Sequence, residues 1–282
     1  LKLDGVRCIA YLDKNSVTLR NKRNKDVTEI YPELKEIYKC AKKRCILDGE
    51  LVVLNNEGKP DFFTLQKRAL LSAPMRINLL AKRNPVQFVA YDILYIGDKQ
   101  ITDKPLMERK KILESNITEG YGLSVSRYIE KNGIAFFELA KAQNLEGIVA
   151  KKKNGKYFLG KRAKEWVKIK VMQEEDLIVC GYKLNDDGNI KDLVMGVYDE
   201  GVLVPRGSVS LGISKEDKET VLKYAKNNRL DKPLFHGSSD TVWLKPGLVG
   251  TAKYMQKTET GHMRQPVWKG LRNDKKPEEC RI

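Results

Sequence analysis

The sequence has only five cysteines, Cys8, Cys40, Cys45, Cys180 and Cys280, and no two of them have CxxC spacing. An odd number without metal-ligand spacing suggests neither a zinc site nor a disulfide framework, and a reducing cytoplasmic setting is the default expectation. No apolar run approaches the ~20 residues of a membrane span, and the visible start has no signal-peptide pattern, so no membrane partner is expected. Internal repeats and low-complexity segments are absent too. The chain opens at Leu1 without a methionine, which allows for residues upstream of it. The remaining deficit is of acids: 37 Asp+Glu stand against 53 Lys+Arg, a formal net charge of +16.

What is present fits a folded protein of two domains. At 282 residues, with 41% hydrophobic and 32% charged residues, the chain can bury two separate cores. Charge is unevenly placed. Residues 1–172 hold 35 Lys+Arg against 20 Asp+Glu, and 173–282 hold 18 against 17. A basic first domain implies a polyanionic partner, nucleic acid first and an acidic membrane surface second, and charge alone does not choose between them.

Segments rich in β-branched and aromatic residues predict strands at 45–54, 86–96, 145–152 and 165–171, with helices over 63–71, 106–115 and 134–143. They follow no strict βαβ order, which favours an α+β class with mixed or antiparallel sheets. The polar stretch QEED at 173–176 coincides with the fall in charge and is read as the junction, giving domains 1–172 and 173–282. Beyond it come strand candidates at 177–184, 193–199, 201–210, 241–247 and 249–257. A helix over 214–228 has Ser214 as its N-cap. Short strands with one helix suggest a small β-barrel of the OB type.

Several short constellations invite a chemical reading. LKLDGVR opens the chain with Lys2, Asp4, Gly5 and Arg7; by itself it could be an Asp-Gly turn among solvated cations. In LDGEL, Asp48 and Glu50 share a strand face and suit Mg²⁺ or a ribose, or else a solvated edge. NLEGIVAKK offers Glu146 with the same alternatives. EWVKIKV sets Trp166, Lys168 and Lys170 on one face; looking into a cleft, the two lysines would clamp phosphate oxygens. RQPVWKGLRNDKK carries Arg264, Arg272, Asp274 and Lys275 around Trp268.

Taken together and in this order, the segments resemble the signature of covalent nucleotidyltransferases, specifically ATP-dependent DNA ligases. KLDGVR matches a KxDGxR nucleophile motif, LDGEL a DGE motif, FVAYDIL an aromatic-Asp segment, EGIVAKK an EGxVxK motif and WVKIK a lysine strand. RQPVWKGLRNDKK is close to the RxPxFxxxRxDK pattern of the ligase OB domain, and the likeness runs from residue 2 to about 280. It is nearest to the ligase domain of bacterial ligase D enzymes, which work in non-homologous end joining.

The resemblance implies an adenylation domain followed by an OB-fold domain, and a set of roles. Lys2 would attack the α-phosphate of ATP and carry AMP to the 5′-phosphate of a DNA nick, which the 3′-hydroxyl then seals. With a reference pKa of ~10.4, a lysine is neutral less than ~0.1% of the time at pH 7, so burial and nearby cations are expected to help it. Tyr91 would stack on adenine. Glu50 and Glu146 would bind Mg²⁺ or Mn²⁺, with Asp4 supporting the metal and later steps. Arg7 and Arg20 would contact ribose, nucleotide or nick phosphate, and Lys168 and Lys170 the α-phosphate. Arg264, Arg272, Asp274 and Lys275 would close over ATP and orient pyrophosphate. Expected partners are nicked or broken duplex DNA and a Ku-like end-binding protein, with the enzyme cytoplasmic and nucleoid-associated. Two features depart from the pattern. The residues that precede the lysine in the family, often including an acid that reads the adenine amine, are not in the visible chain. Thr251 stands where many relatives have an acid. Capping guanylyltransferases, RNA ligases, NAD⁺-dependent ligases and a catalytically dead binding module are the competing readings.

Overall fold

Alternation of apolar and polar residues builds the first sheet. In β1 (Val6–Leu12), Cys8, Ala10 and Leu12 point into a core and Arg7 and Tyr11 point out. β1 pairs antiparallel with β2 (Val17–Asn21) on one side and β3 (Cys45–Val53) on the other. β3 in turn pairs with β4 (Val86–Ile96). The sheet order is β2-β1-β3-β4-β5, where β5 (Lys99–Gln100) is short and β6 (Leu123–Val125) lies parallel to β4. Leu19, Leu47, Leu51, Phe88 and Ala90 fill the core beneath it. α1 (Phe62–Ala69) packs on β3 and α3 (Leu106–Asn116) on β4, while α2 (Pro74–Arg83) packs on the 3-10 turn Pro32–Leu34. α4 (Gly133–Ala142) leads to a separate antiparallel pair, β7 (Gly147–Lys151) with β8 (Trp166–Lys170).

The computed structural model describes residues 1–282 except 162, 237–239 and 259. The chain divides into two compact units, Leu1–Val171 and Met172–Ile282. The α+β class expected from the sequence is the one found. Predicted strands at 45–54, 86–96, 145–152 and 165–171 correspond to β3, β4, β7 and β8, and the three predicted helices to α1, α3 and α4. β1, β2 and α2 were not anticipated. α2 starts with Pro74 at its first turn and buries only Ile77, leaving Met75 and Leu79 exposed.

Directly opposed in register on β3 and β4 stand two fully buried aspartates, Asp48 and Asp92. Each has its own arginine. Asp92 takes a two-pronged pair from Arg109 of α3, with both N–O distances 2.8 Å. Asp48 takes one from Arg7 of β1, with both distances 2.9 Å. Without those arginines, two carboxylates could not be buried side by side; removing one member of such a pair costs roughly 3–5 kcal/mol.

The second unit is organised by β9 (Gln173–Leu184), a twelve-residue strand with three antiparallel partners. They are β10 (Ile190–Asp199), β13 (Val242–Leu244) and β14 (Val249–Tyr254). β11 (Val202–Val209) extends the sheet beyond β10, β12 (Arg229–Leu230) beyond β13, and β15 (Val267–Leu271) beyond β14. α5 (Lys215–Asn228) begins as expected, with Ser214 Oγ accepting the Asp217 N–H at 3.0 Å. QEED, read as a junction, follows directly on the division between the two units and forms the first third of β9. Its acids have cross-strand or C-terminal cations: Glu174 pairs with Lys253 at 2.7 Å, Glu175 with Lys257 at 3.0 Å and Asp176 with Lys275 at 2.7 Å.

Candidate active site

The first unit contains a cavity of about 460 Å³ whose wall brings together residues far apart in sequence, including Lys2, Arg7, Glu50, Tyr91, Lys151 and Lys168. Its construction starts at two glycines. Gly5 presses against β3, where an added Cβ would lie 2.3 Å from the Leu51 carbonyl oxygen. Gly147 has φ +133° and a virtual Cβ only 2.1 Å from the Ile169 oxygen. Only glycine fits there, and β8 can therefore close onto β7. The Lys2 N–H then donates to the Gly147 carbonyl at 2.8 Å, which docks the start of the chain on this hairpin.

That docking places the Lys2 ammonium against the Glu146 carboxylate in a short ion pair, with both side chains largely buried. The immediate neighbour of the lysine is thus an acid, where nearby cations were expected. The other Glu146 oxygen, Oε2, is buried with no hydrogen-bond partner. Glu50 stands close by. Burial, with Asp48 and Glu146 near it, pushes its carboxyl up to about 7 against the opposing pull of Lys2 and Lys168.

On the far wall the Tyr91 ring meets Trp166 edge-on at 5.8 Å, and Tyr157 meets the same indole at 5.8 Å. Lys151 lies over both Trp166 and Tyr91, at 3.7 and 4.7 Å from the ring centroids. Burial, reinforced by Lys110, lowers its ammonium to about 8. Tyr157 donates to Asp48 at 2.7 Å and accepts from Arg7 at 2.6 Å, so Asp48 is fully committed and is not available as a ligand.

Of the residues singled out in the sequence, Lys2, Arg7, Glu50, Tyr91 and Lys168 line the cavity, and Glu146 reaches it through Lys2. Asp4, Arg20 and Lys170 are not among its lining residues. Arg20 sits on β2 and donates to the Asn24 carbonyl at 3.0 Å. Arg264, Arg272, Asp274 and Lys275 belong to the second unit. There Asp274 grips Arg272 at 2.7 and 2.8 Å. Lys151, Lys110 and Tyr157 were missed. Lys151 closes the EGxVxK segment and was within reach, whereas nothing local marks Lys110 as a cavity residue or Tyr157 as a partner of Asp48 and Arg7.

Among the described residues no group of three or more His, Cys, Asp or Glu side chains is set to hold a metal ion. Two carboxylates remain, Glu50 and Glu146, one with an unpartnered buried oxygen. That donor set fits Mg²⁺, which keeps several waters and takes one or two carboxylates together with substrate phosphates.

Comparison with known proteins bears on the family and the fold. Residues 1–170 match the model of the ATP dependent DNA ligase domain, and residues 186–275 that of the ATP dependent DNA ligase C terminal region. The multifunctional non-homologous end joining DNA repair protein LigD of Mycobacterium tuberculosis H37Rv is 30% identical over 288 residues, 99% of this chain and 36% of that protein. The chain therefore spans about a third of the length of such relatives. The SPbeta prophage-derived DNA ligase-like protein LigB of Bacillus subtilis is 30% identical over 274 residues, covering 96% of this chain and 91% of that one. A solved structure, mycobacterial DNA ligase D complexed with ATP and MES, superposes with a TM-score of 0.56 at 28% identity, covering 99% of this chain and 89% of that one. The first unit thus has the nucleotidyltransferase fold and the second corresponds to the OB fold. No helix among the described residues is long and apolar enough to cross a membrane. By its motifs, its fold and these matches, the chain belongs to the ATP-dependent DNA ligase family.

Proposed function

We propose that the protein seals breaks in duplex DNA using ATP, through an AMP carried covalently on Lys2. The observation that carries this reading is the placement of Lys2 beside Glu146 and Glu50, in a cavity that also presents Lys168 and the Tyr91 ring. Tyr91 stacks on the adenine, which an aromatic face does for any purine. Arg7, already fixed by Asp48, contacts ribose or nucleotide, and Arg20 the DNA backbone. Lys2 gives up its proton, leaves Glu146 and attacks the α-phosphorus. A P–N bond forms, the bond to the β-phosphate oxygen breaks, and pyrophosphate departs. Lys168, assisted by Lys170, holds the non-bridging α-oxygens as their charge rises. Arg264, Arg272, Asp274 and Lys275 act on the pyrophosphate as it leaves.

In the later steps a 5′-phosphate oxygen displaces Lys2 from the AMP, leaving adenylylated DNA. The neighbouring 3′-hydroxyl then attacks the 5′-phosphate, the phosphodiester forms and AMP is released. Glu50 and Glu146 would hold Mg²⁺ or Mn²⁺, which when bound supplies charge neutralisation at the phosphates, and Asp4 supports that site. The basic charge of the first unit supports nicked or broken DNA as the substrate. The likeness to LigD supports a place in non-homologous end joining; a Ku-like end-binding partner and a place on the nucleoid of the cytoplasm are part of the same proposal. The test is sealing of a labelled nicked duplex with ATP and Mg²⁺. Sealed product that needs ATP and vanishes in Lys2→Ala supports the reading; sealing that survives Lys2→Ala overturns it.

A further inference from the structure

In the second unit one carboxylate, Asp176 of β9, gathers the cations of the RNDK segment. Lys275 Nζ lies 2.7 Å from its Oδ2, and Arg272 Nη1 lies 3.4 Å from both of its oxygens. Thr251 of β14, directly opposite Asp176 in register, donates its hydroxyl to Oδ1. Arg272 is clasped from its other side by Asp274. Both oxygens of Asp176 are therefore used, and its carboxyl, only about a fifth exposed, is held below the usual range. Burial opposes that shift, while the bonds from Lys275 and Thr251 drive it.

Thr251, where the family resemblance implies an acid, faces an acid across the ladder. β9 and β14 are adjacent and antiparallel, so residues 176 and 251 face each other across one rung of the ladder. A carboxylate on either strand can reach the same point. With the acid on β9 and a hydroxyl on β14, the rung presents one negative charge and one donor to orient it.

We propose that Asp176 is a positioning residue for ATP-dependent adenylylation, fixing Arg272 and Lys275 in the arrangement that receives pyrophosphate, and that Thr251 serves by orienting it. The inference rests on the proposed function. Lys275 and Arg272 are long, partly exposed side chains that would otherwise sample many rotamers, and a charge-assisted anchor removes that freedom before the nucleotide arrives. The anchor matters only while pyrophosphate is being expelled. Closure of a nick that already bears AMP does not involve a triphosphate and does not need it.

The experiment compares wild type, Asp176→Asn and the double variant Asp176→Asn/Thr251→Asp, which moves the carboxylate across the rung. Each is measured for Lys2 adenylylation with ATP and Mg²⁺, for sealing of a pre-adenylylated nicked duplex, and for thermal unfolding. Asp176→Asn is expected to slow adenylylation roughly tenfold or more, the range for losing a charge-assisted bond. Its sealing of the pre-adenylylated nick should stay within about twofold of wild type, and the double variant should recover most of the lost adenylylation. Equal losses in both reactions, wild-type adenylylation by Asp176→Asn, or no recovery in a double variant that melts like wild type would each overturn the proposal. If the wild type itself formed no lysyl-AMP, the reading of the whole protein would fall, a result distinct from any of these.

Discussion

Two buried or half-buried acids, Glu50 and Asp48, show how environment separates residues that are two apart on one strand. Asp48 is locked between Arg7 and Tyr157, and its charge is spent on structure. Glu50 has no such clamp and its carboxyl sits near 7. A raised carboxyl means the folded state holds its proton more tightly than the unfolded chain does. The stability is therefore full below about 4.5 and is lost as pH rises towards 7. The loss is at most on the order of 3 kcal/mol. Glu50→Gln should accordingly melt at the wild-type temperature near pH 4.5 and above it at pH 8. Mg²⁺ should narrow the gap at pH 8, because the ion needs the ionised carboxylate. Thermal scans at the two pH values, with and without Mg²⁺, check this; a gap that does not change with pH would contradict it.

Among the elements, the β7–β8 hairpin depends most on one residue. Gly147 has a left-handed φ and the Ile169 oxygen 2.1 Å from where a Cβ would be, so Gly147→Ala must push the strands apart. The cost should exceed about 2 kcal/mol, combining backbone strain with a clash against main chain. Hydrogen exchange should show lost amide protection over Gly147–Lys151 and Trp166–Lys170 while Cys45–Val53 keeps its own. Undisturbed protection in the hairpin would show that the glycine is replaceable.

Much of this was legible because each motif is short and its glycines and charges sit on adjacent residues. The strands β3, β4, β7 and β8 could be read from their β-branched runs, and so could the lysine face of β8. What could not be read was pairing. Asp48 and Glu50 look alike in LDGEL; what separates them is that Arg7, opposite Glu50 in register, reaches diagonally to Asp48, and that Tyr157 arrives there from over a hundred residues away. QEED stands at the division between the units, but its place in a strand could not be read, because its acids find their cations on β14 and towards the C-terminus, beyond any local window. Lys110 and Lys151 reach the cavity from α3 and β7, and neither position announces burial in sequence.

At the scale of the molecule, the dominant quantity is charge. Residues 1–172 hold an excess of fifteen cations, whereas residues 173–282 are nearly neutral, with 18 Lys+Arg against 17 Asp+Glu. If the first unit grips DNA through phosphates, affinity for a nicked duplex should fall steeply with salt. A protein neutralising 6–10 phosphates loses about 10³–10⁵ in affinity between 50 and 200 mM salt. A binding titration over that range with a nearly flat response would contradict DNA recognition through the basic unit.

The account stands or falls on the covalent intermediate. The decisive measurement is the intact and peptide mass of the protein after incubation with Mg²⁺ and ATP, GTP or NAD⁺ separately. The starting material is first stripped of any bound AMP with pyrophosphate. One AMP on Lys2, from ATP alone and absent in Lys2→Ala, is the predicted result. GMP on Lys2, AMP derived from NAD⁺, or no adduct from any nucleotide would contradict it.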